Sequence, residues 1–550
     1  MKAIILNHPK DIKLFDGFNK KINFYAYNYY TYLTLKKKIK NIYYINDSIF
    51  LKKLDNFSLD IPLNWFRKNR NNNLKKKKIS IGNIVLPRLQ EEFSNSVKNY
   101  LIIKTILKKN SKIIFPKNER KYITNFIDLF PNKIKFYKSR NKINKIFSIN
   151  SLSSKIVTLP KIHKLSNLAR IIQRLLFSKK MNKIIYYPDP RTKSFFKKFC
   201  NILSLNLLAI NKSYYFKLTS RHFLKADKII DFDYKKDLNQ FIKSKQTKDN
   251  KDFFYIFEKC INKIVDKNKH FLLRTVAIYL ELFEYYKPKS IIFPGILNYD
   301  YASAIELANI KNIKTFIALD GVLTNYNNAE FNKNYFYNKI IAWGNENKIL
   351  LEKHGIKKKD IILSTPYLKK INKINVSHKK FIIVLPLGCY SHKVSSLSDK
   401  CIYHTLDILK ILNSLGEKNI ILKFKNGNYD INKFMKIYSE QINAYNIKNV
   451  IIKKGPLENF FENTKLLIGR CSTTIYEAIN NNIDYHIYEP YDLGLSSGEI
   501  RNCNLFDRKS ISRNQNELIK NLKKKDKSSI IKSKKKIFSG KNLSVNFFND

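Results

Sequence analysis

Short apolar runs alternate along the chain with longer segments whose apolar residues recur every three or four positions, most clearly after residue 270. Ser290–Phe293, Lys314–Leu319, Lys339–Trp343, Phe381–Leu385, Asn419–Phe424 and Asn449–Ile452 read as strands buried on both faces. Between them, Phe271–Tyr286, Tyr301–Asn309, Glu346–His354, Asp399–Leu415 and Ile431–Tyr445 carry helical spacing, with Gly355 and Gly416 as stops. Earlier in the chain the pattern predicts strands at Ala3–Leu6, Asn41–Ile45, Ile113–Phe115, Lys133–Tyr137, Ile184–Tyr187 and Leu207–Ile210. Helices are predicted at Leu89–Lys108, Glu119–Phe130 and Thr192–Ile202. Residues 212–265 are rich in lysine and show no clear period.

Alternating strands and helices predict α/β architecture with parallel sheets. The expected arrangement is two Rossmann-like open-sheet domains facing a cleft. Residues 1–370 form the first, with 1–110 as a candidate additional subregion. Residues 371–525 form the second, and 526–550 a basic tail. At 550 residues about two to four domains are expected, and no repeat of about 20 to 50 residues is visible.

Within this frame one stretch stands out. Leu466–Ile468 reads as a strand, Gly469 ends it, and Ser472-Thr473-Thr474 opens a helix carrying Glu477. Tyr485–Tyr488 then forms the next strand and stops at Pro490. Such a unit aims the unpaired N–H groups of a helix start past the strand ends, where a phosphate fits. Thr474-Ile-Tyr-Glu477 also fits a capping box, in which both side chains only satisfy backbone donors.

Ile468-Gly-Arg-Cys-Ser-Thr-Thr-Ile-Tyr-Glu-Ala478 with Tyr488-Glu-Pro490, and Thr315–Val322 followed by Ile340-Ile-Ala-Trp-Gly344, resemble GT-B glycosyltransferases of bacterial surface-polysaccharide and lipid-linked glycan synthesis. The resemblance covers roughly 285 to 495. It implies a nucleotide-sugar donor in the C-terminal domain, with its phosphates on Ser472, Thr473 and Thr474. Arg470 and Lys423 would neutralise them, Glu477 would face ribose or cap the helix, and Gly388 would approach the ligand. On the acceptor side it implies Gly295, Asn298, Tyr299 and Gly321. Asp320 becomes the candidate base for the acceptor hydroxyl, against the plain reading that Asp-Gly makes a turn. Relatives often carry Lys-x-His-Pro after the second strand of this domain. Here Leu422-Lys-Phe-Lys-Asn426 keeps Lys423 and lacks His-Pro. A polyol-phosphate transferase or UDP-sugar epimerase on the same fold, and an inactive scaffold, therefore stand as alternatives.

Charge adds one more. The net +61 at pH 7 would suit a polynucleotide partner. The excess is nearly all lysine, however, and travels with Asn, Ile, Phe and Tyr, residues sharing A/T-rich codons. Clustered arginines and aromatic platforms are missing, so no nucleic-acid partner is expected. Contact with an anionic membrane surface through lysines is expected instead. Six scattered cysteines suggest no disulfide framework, and the apolar start Ala3–Leu6 is too short for a signal peptide. A cytoplasmic enzyme, peripheral at the inner membrane face, is the expectation. Cys389-x2-His392 and Cys401-x2-His404 carry zinc-binding residue types at a spacing that matches no zinc motif. No metal and no cofactor beyond the nucleotide-sugar substrate is expected.

Overall fold

The computed structural model describes residues 1–15, 22–27, 29–44, 61–66, 78–117, 120–138, 184–186, 207–209, 220–293, 299–319, 337–353, 355–365, 368, 380–386, 399–424, 431–490, 506–524 and 528–540. Every strand pairing among them is parallel, and three large sheets result. The α/β reading holds, with one sheet more than expected.

The first sheet is built from β1 (Lys2–Leu6), β2 (Ile22–Ala26), β3 (Ile42–Tyr44), β5 (Lys112–Pro116) and β6 (Ile134–Tyr137), in the order β3-β2-β1-β5-β6. The short β4 (Ile79–Ser80) pairs separately with β9 (Ile230–Asp231). The second sheet has the order β13-β12-β11-β10-β7-β8, from β7 (Ile184–Tyr186), β8 (Leu207–Ala209), β10 (Ser290–Phe293), β11 (Lys314–Ala318), β12 (Lys339–Trp343) and β13 (Ile361–Ser364). The third runs β16-β15-β14-β17-β18-β19, from β14 (Phe381–Val384), β15 (Ile420–Phe424), β16 (Val450–Lys454), β17 (Thr464–Gly469), β18 (Asp484–Tyr488) and β19 (Ile511–Ser512). Numbered within its own sheet, this last order is 3-2-1-4-5-6, the doubly wound arrangement of dinucleotide-binding folds.

Helices explain how the sheets are joined. After α1 (Tyr29–Lys36) comes α2 (Ile81–Leu107), which begins before the predicted Leu89 and runs through Pro87. Its first turns, Ile81, Ile84, Val85 and Leu86, are all buried. A helix covered on every side shows no one-faced period, which hides its start. The unassigned 212–265 holds α3 (Ser220–Ile229), α4 (Lys235–Lys245) and the first half of α5 (Lys251–Tyr286). Phe253, Ile256, Phe257, Cys260, Ile261 and Ile264 make a buried stripe on α5, with Lys251, Lys259, Lys263 and Lys267 interleaved along the same stretch. Helical spacing was therefore present, diluted by lysine. The predicted helix 119–130 is instead one α-turn, Arg120–Ile123, followed by a 3₁₀ turn, Ile127–Leu129.

α2 and α5 pack together, and with α6 (Tyr299–Ile310) they fuse the first two sheets into one hydrophobic core. Between α2 and α5 lies a buried polar network. Lys263 Nζ donates to Glu92 Oε1 at 2.7 Å and to Asn125 Oδ1 at 3.2 Å. Asn125 Nδ2 in turn lies 3.1 Å from Glu92 Oε1, 2.7 Å from Ser96 Oγ and 3.2 Å from Cys260 Sγ. Burial pushes the Cys260 thiol far up, with the Glu92 carboxylate adding to the effect, so this sulfur stays protonated.

The second and third sheets meet through α7 (Gly344–Lys353), α10 (Thr473–Asn480) and α12 (Ser528–Ile537). Trp343 packs against Tyr476, ring centroids 6.3 Å apart. Gly344 has φ +72°, and a Cβ there would sit 2.5 Å from the Ile537 carbonyl oxygen, so only glycine lets α12 come this close. Ser539 Oγ then accepts the Asn345 N–H at 2.9 Å. Ser533, fully buried, anchors α12 from its own side by bonding Tyr485 Oη at 2.5 Å. The remaining helices α8 (Asp399–Ser414), α9 (Ile431–Ala444) and α11 (Gln515–Lys524) cover the third sheet. Among the described residues no helix is long and apolar enough to cross a membrane.

Candidate functional site

In a doubly wound sheet the crevice for a ligand opens at the carboxyl ends of the two strands where the winding reverses. In the third sheet these are β14 and β17, hydrogen-bonded neighbours in register from Ile382↔Leu466 to Val384↔Ile468. Gly469 closes β17. A Cβ at this position would lie 3.0 Å from the Leu385 Cβ, so glycine lets the two strand ends approach without displacing Leu385.

The chain then turns through Arg470 and Cys471 into α10. Ser472 is the N-cap, in extended conformation with φ −161° and ψ 165°, and its side chain makes no cap hydrogen bond. Its carbonyl accepts the Ile475 N–H at 3.1 Å. Thr473 and Thr474 are therefore the first two helical residues, and their N–H groups belong to the set with no partner inside the helix. The capping-box alternative fails on register. Thr474 lies inside the helix instead of at its cap, so Glu477 is not three residues past the cap. Ile475, Tyr476, Ala478 and Ile479 are buried, which fixes the helix, while Ser472, Thr473, Thr474 and Glu477 remain partly exposed. The result is a rigid helix start with hydroxyls and amides at its rim, at the positive end of the helix dipole.

The basic residues stand differently from each other. Lys423 lies on β15 with 6% of its surface exposed, beside β14. Arg470 is also buried, and its Nη2 donates to Oε1 of Glu489, the residue just after β18. Its charge is thus balanced inside the protein. Around Glu489 the backbone is held from three sides. Its N–H donates to Ser512 O at 2.9 Å, and its carbonyl accepts from Arg513 Nη1 at 3.1 Å. The preceding Tyr488 carbonyl bonds His404 Nε2 at 2.9 Å, and the two rings stack at 5.1 Å. A carbonyl can only accept, so this nitrogen carries the proton. His404 is a structural partner of β18. Among the described residues no group of three or more His, Cys, Asp or Glu side chains is arranged to hold a metal ion.

Of the residues singled out from the sequence, the structure brings Arg470, Ser472, Thr473 and Thr474 together at one strand end, with Glu477 on the same helix and Lys423 two strands away. Gly295, Asn298, Asp320, Gly321 and Gly388 lie outside the described residues. Tyr299 opens α6, and Leu319, the residue before Asp320, ends the β11 segment with its N–H on the Ile341 carbonyl at 3.1 Å. The partnership of Arg470 with Glu489 was not legible. The available signal was an acidic residue directly after a buried strand, which also suits a plain strand stop.

No family model matches the sequence, and no curated protein matches it. Solved structures match the chain at low identity and low structural similarity. Staphylococcus aureus MnaA in a co-structure with UDP is 9% identical, with a TM-score of 0.40 over 66% of this chain and 93% of that one. A glycosyltransferase from Rickettsia africae is 13% identical, with a TM-score of 0.37 over 65% and 91%. Anabaena HepE in complex with UDP is 10% identical, with a TM-score of 0.34 over 64% and 95%. These scores are low, and the fold reading rests on the strand orders and helix placements given above.

Proposed function

We propose that the chain is a glycosyltransferase of GT-B-like architecture that moves a sugar from a nucleotide-sugar to a glycan or lipid-linked acceptor. One observation carries this reading: the α10 start, with an uncommitted cap hydroxyl at Ser472, stands at the reversal point of a 3-2-1-4-5-6 sheet. The donor phosphates would sit on the amides of Thr473 and Thr474 and the hydroxyls of Ser472, Thr473 and Thr474. The helix dipole and Lys423 would offset the charge that develops on the leaving nucleotide, in place of a divalent metal. Asp320, with Gly321 beside it, would take the proton of the acceptor hydroxyl. Gly388 would approach the donor, and Gly295, Asn298 and Tyr299 the acceptor. Surface lysines would hold the enzyme at an anionic bilayer that carries the acceptor.

A thermal-shift screen with CMP, UDP, GDP and CDP tests the site. Selective stabilisation by one nucleotide, lost in Ser472→Ala combined with Thr473→Ala, is the expected outcome. No response to any nucleotide would remove the proposal. Consumption of a UDP-sugar with no acceptor present would replace the transferase with an epimerase.

A further inference from the structure

Alternation along the strands of the third sheet separates its two faces. On β14 and β17, Ile382, Val384 and Ile468 join one apolar core, while Ile383 and Leu467 join another. The second sheet reaches the Ile383 side through Trp343 and α12. The first sheet reaches the opposite side, where Tyr32, Leu33 and Tyr44 pack against the core that holds Ile382 and Val384. The first two sheets share one core, so together they form a single body that grips the third sheet from both faces.

The sequence of α1 explains the second grip. Thr31 and Leu35, one turn apart, are buried on the side facing the first sheet. Leu33 lies about 200° round the helix from each of them, on the side that a surface helix gives to water. Leu33 is nevertheless half-buried, and among the described residues the core it packs against is the third sheet's. Tyr44, on the edge strand β3, packs there too and stacks on Tyr32 at 5.6 Å. Tyr32 packs against both cores and joins them.

The two grips differ in kind. α12 is set against the backbone of the second sheet's elements, since a Cβ on Gly344 or on Gly540 would run into the Ile537 or the Ser364 carbonyl. Its fully buried Ser533 bonds Tyr485 at the start of β18, which ties it to the third sheet as well. On the other face the first sheet holds on with three half-buried side chains. Small, partly wet contacts open before close-packed ones. The Leu33–Tyr44 side is therefore the one that releases, and the Trp343–α12 side is the hinge.

We propose that the first sheet is a clamp on the third. Tyr32, Leu33 and Tyr44 dock on it, and their release lets the third sheet turn about the Trp343–α12 seam and speeds the departure of a ligand from the α10 start. The clamp stands on the packing alone, whereas its hold on the ligand rests on the reading of the α10 start as the phosphate site.

Leu33→Asp puts a charge into the contact and leaves the first sheet's own core intact. Losing one half-buried leucine contact shifts the docked-to-released ratio by about fivefold, and burying a carboxylate in its place shifts it further. Small-angle scattering of the full chain is expected to give Leu33→Asp a larger radius of gyration than wild type, and Leu33→Met the wild-type value. Circular dichroism and cooperative melting check the fold. Should the aspartate prevent folding, Leu33→Ala replaces it, with a smaller increase as the expected result. A folded variant as compact as wild type overturns the clamp. Stopped-flow release of UDP, or of whichever of CMP, GDP and CDP binds in its place, is expected to quicken about fivefold or more in the expanded variant. An unchanged rate there overturns the hold on the ligand and leaves the clamp standing. No nucleotide binding by wild type overturns the phosphate reading, and the scattering result still decides the clamp.

Discussion

The molecule holds two polar clusters of similar composition and opposite character. Between α2 and α5, Glu92, Lys263, Asn125, Ser96 and Cys260 match donors to acceptors within a largely buried core. At the third sheet's strand ends, Ser472 leaves its hydroxyl out of the cap, and Glu489 keeps one oxygen without a donor. Both contain a lysine or arginine beside a glutamate, and a sequence motif could not tell them apart. The difference lies in completeness. A closed network specifies how two helices meet, whereas the strand-end cluster leaves the Ser472 hydroxyl out of the cap and one Glu489 oxygen unmatched beside a helix start.

The largest effect should come from opening the closed cluster. Lys263→Ala strands the largely buried Glu92 carboxylate and should cost about 3 to 5 kcal/mol of unfolding free energy in urea. Replacing both Lys263 and Glu92 with methionine should recover most of it. A recovery of nothing would mean that the network carries more than an ion pair.

Second comes acid. His486 is buried on β18, with its Nε2 2.7 Å from Ser512 Oγ, and burial lowers its pKa to about 4. The unfolded chain binds the proton more readily, so this residue's cost is absent above about pH 6.5 and grows as pH falls towards 4. Its full size is about 3 kcal/mol by the same linkage. His486→Gln should flatten that part of the pH–stability curve, and an unchanged slope would clear His486 of the effect.

Gly469→Ala should cost about 1 to 3 kcal/mol by crowding Leu385, as read from the denaturation midpoint. The smallest stability change is expected at the incomplete cluster itself. Ser472→Ala removes no cap bond and should cost less than about 0.5 kcal/mol, well under the usual loss of a capping serine. If it destabilises by more than about 1 kcal/mol, the hydroxyl caps the helix in solution and the contrast between the clusters narrows.

Much of the third sheet was legible, because β14, β15, β16 and β17 each hold an apolar run of three or more residues and its helices end at glycines or asparagines of positive φ, such as Gly416 and Asn446. The helix start at Ser472 was legible for the same reason: Gly469 and three hydroxyl residues punctuate a strand and a helix. The first sheet was read only in pieces. β2 has the pattern Ile-Asn-Phe-Tyr-Ala, and its asparagine and tyrosine blur an apolar run. α5 was half hidden because interleaved lysines lower the local hydrophobicity without breaking the period of its buried face. Pairings such as Arg470 with Glu489 join residues whose proximity depends on strand order, which no local pattern encodes.

The strap formed by α12 bears on how the protein is made. Asn345 meets its Ser539 partner only after another 194 residues have been added. Until then the Trp343–Gly344 surface waits without the segment that covers it. A ribosome elongating at about 5 to 20 residues per second would leave that surface bare for on the order of ten seconds or more. Messages cut short before residue 528 would release chains with this apolar seam open, ready substrates for chaperones and proteases.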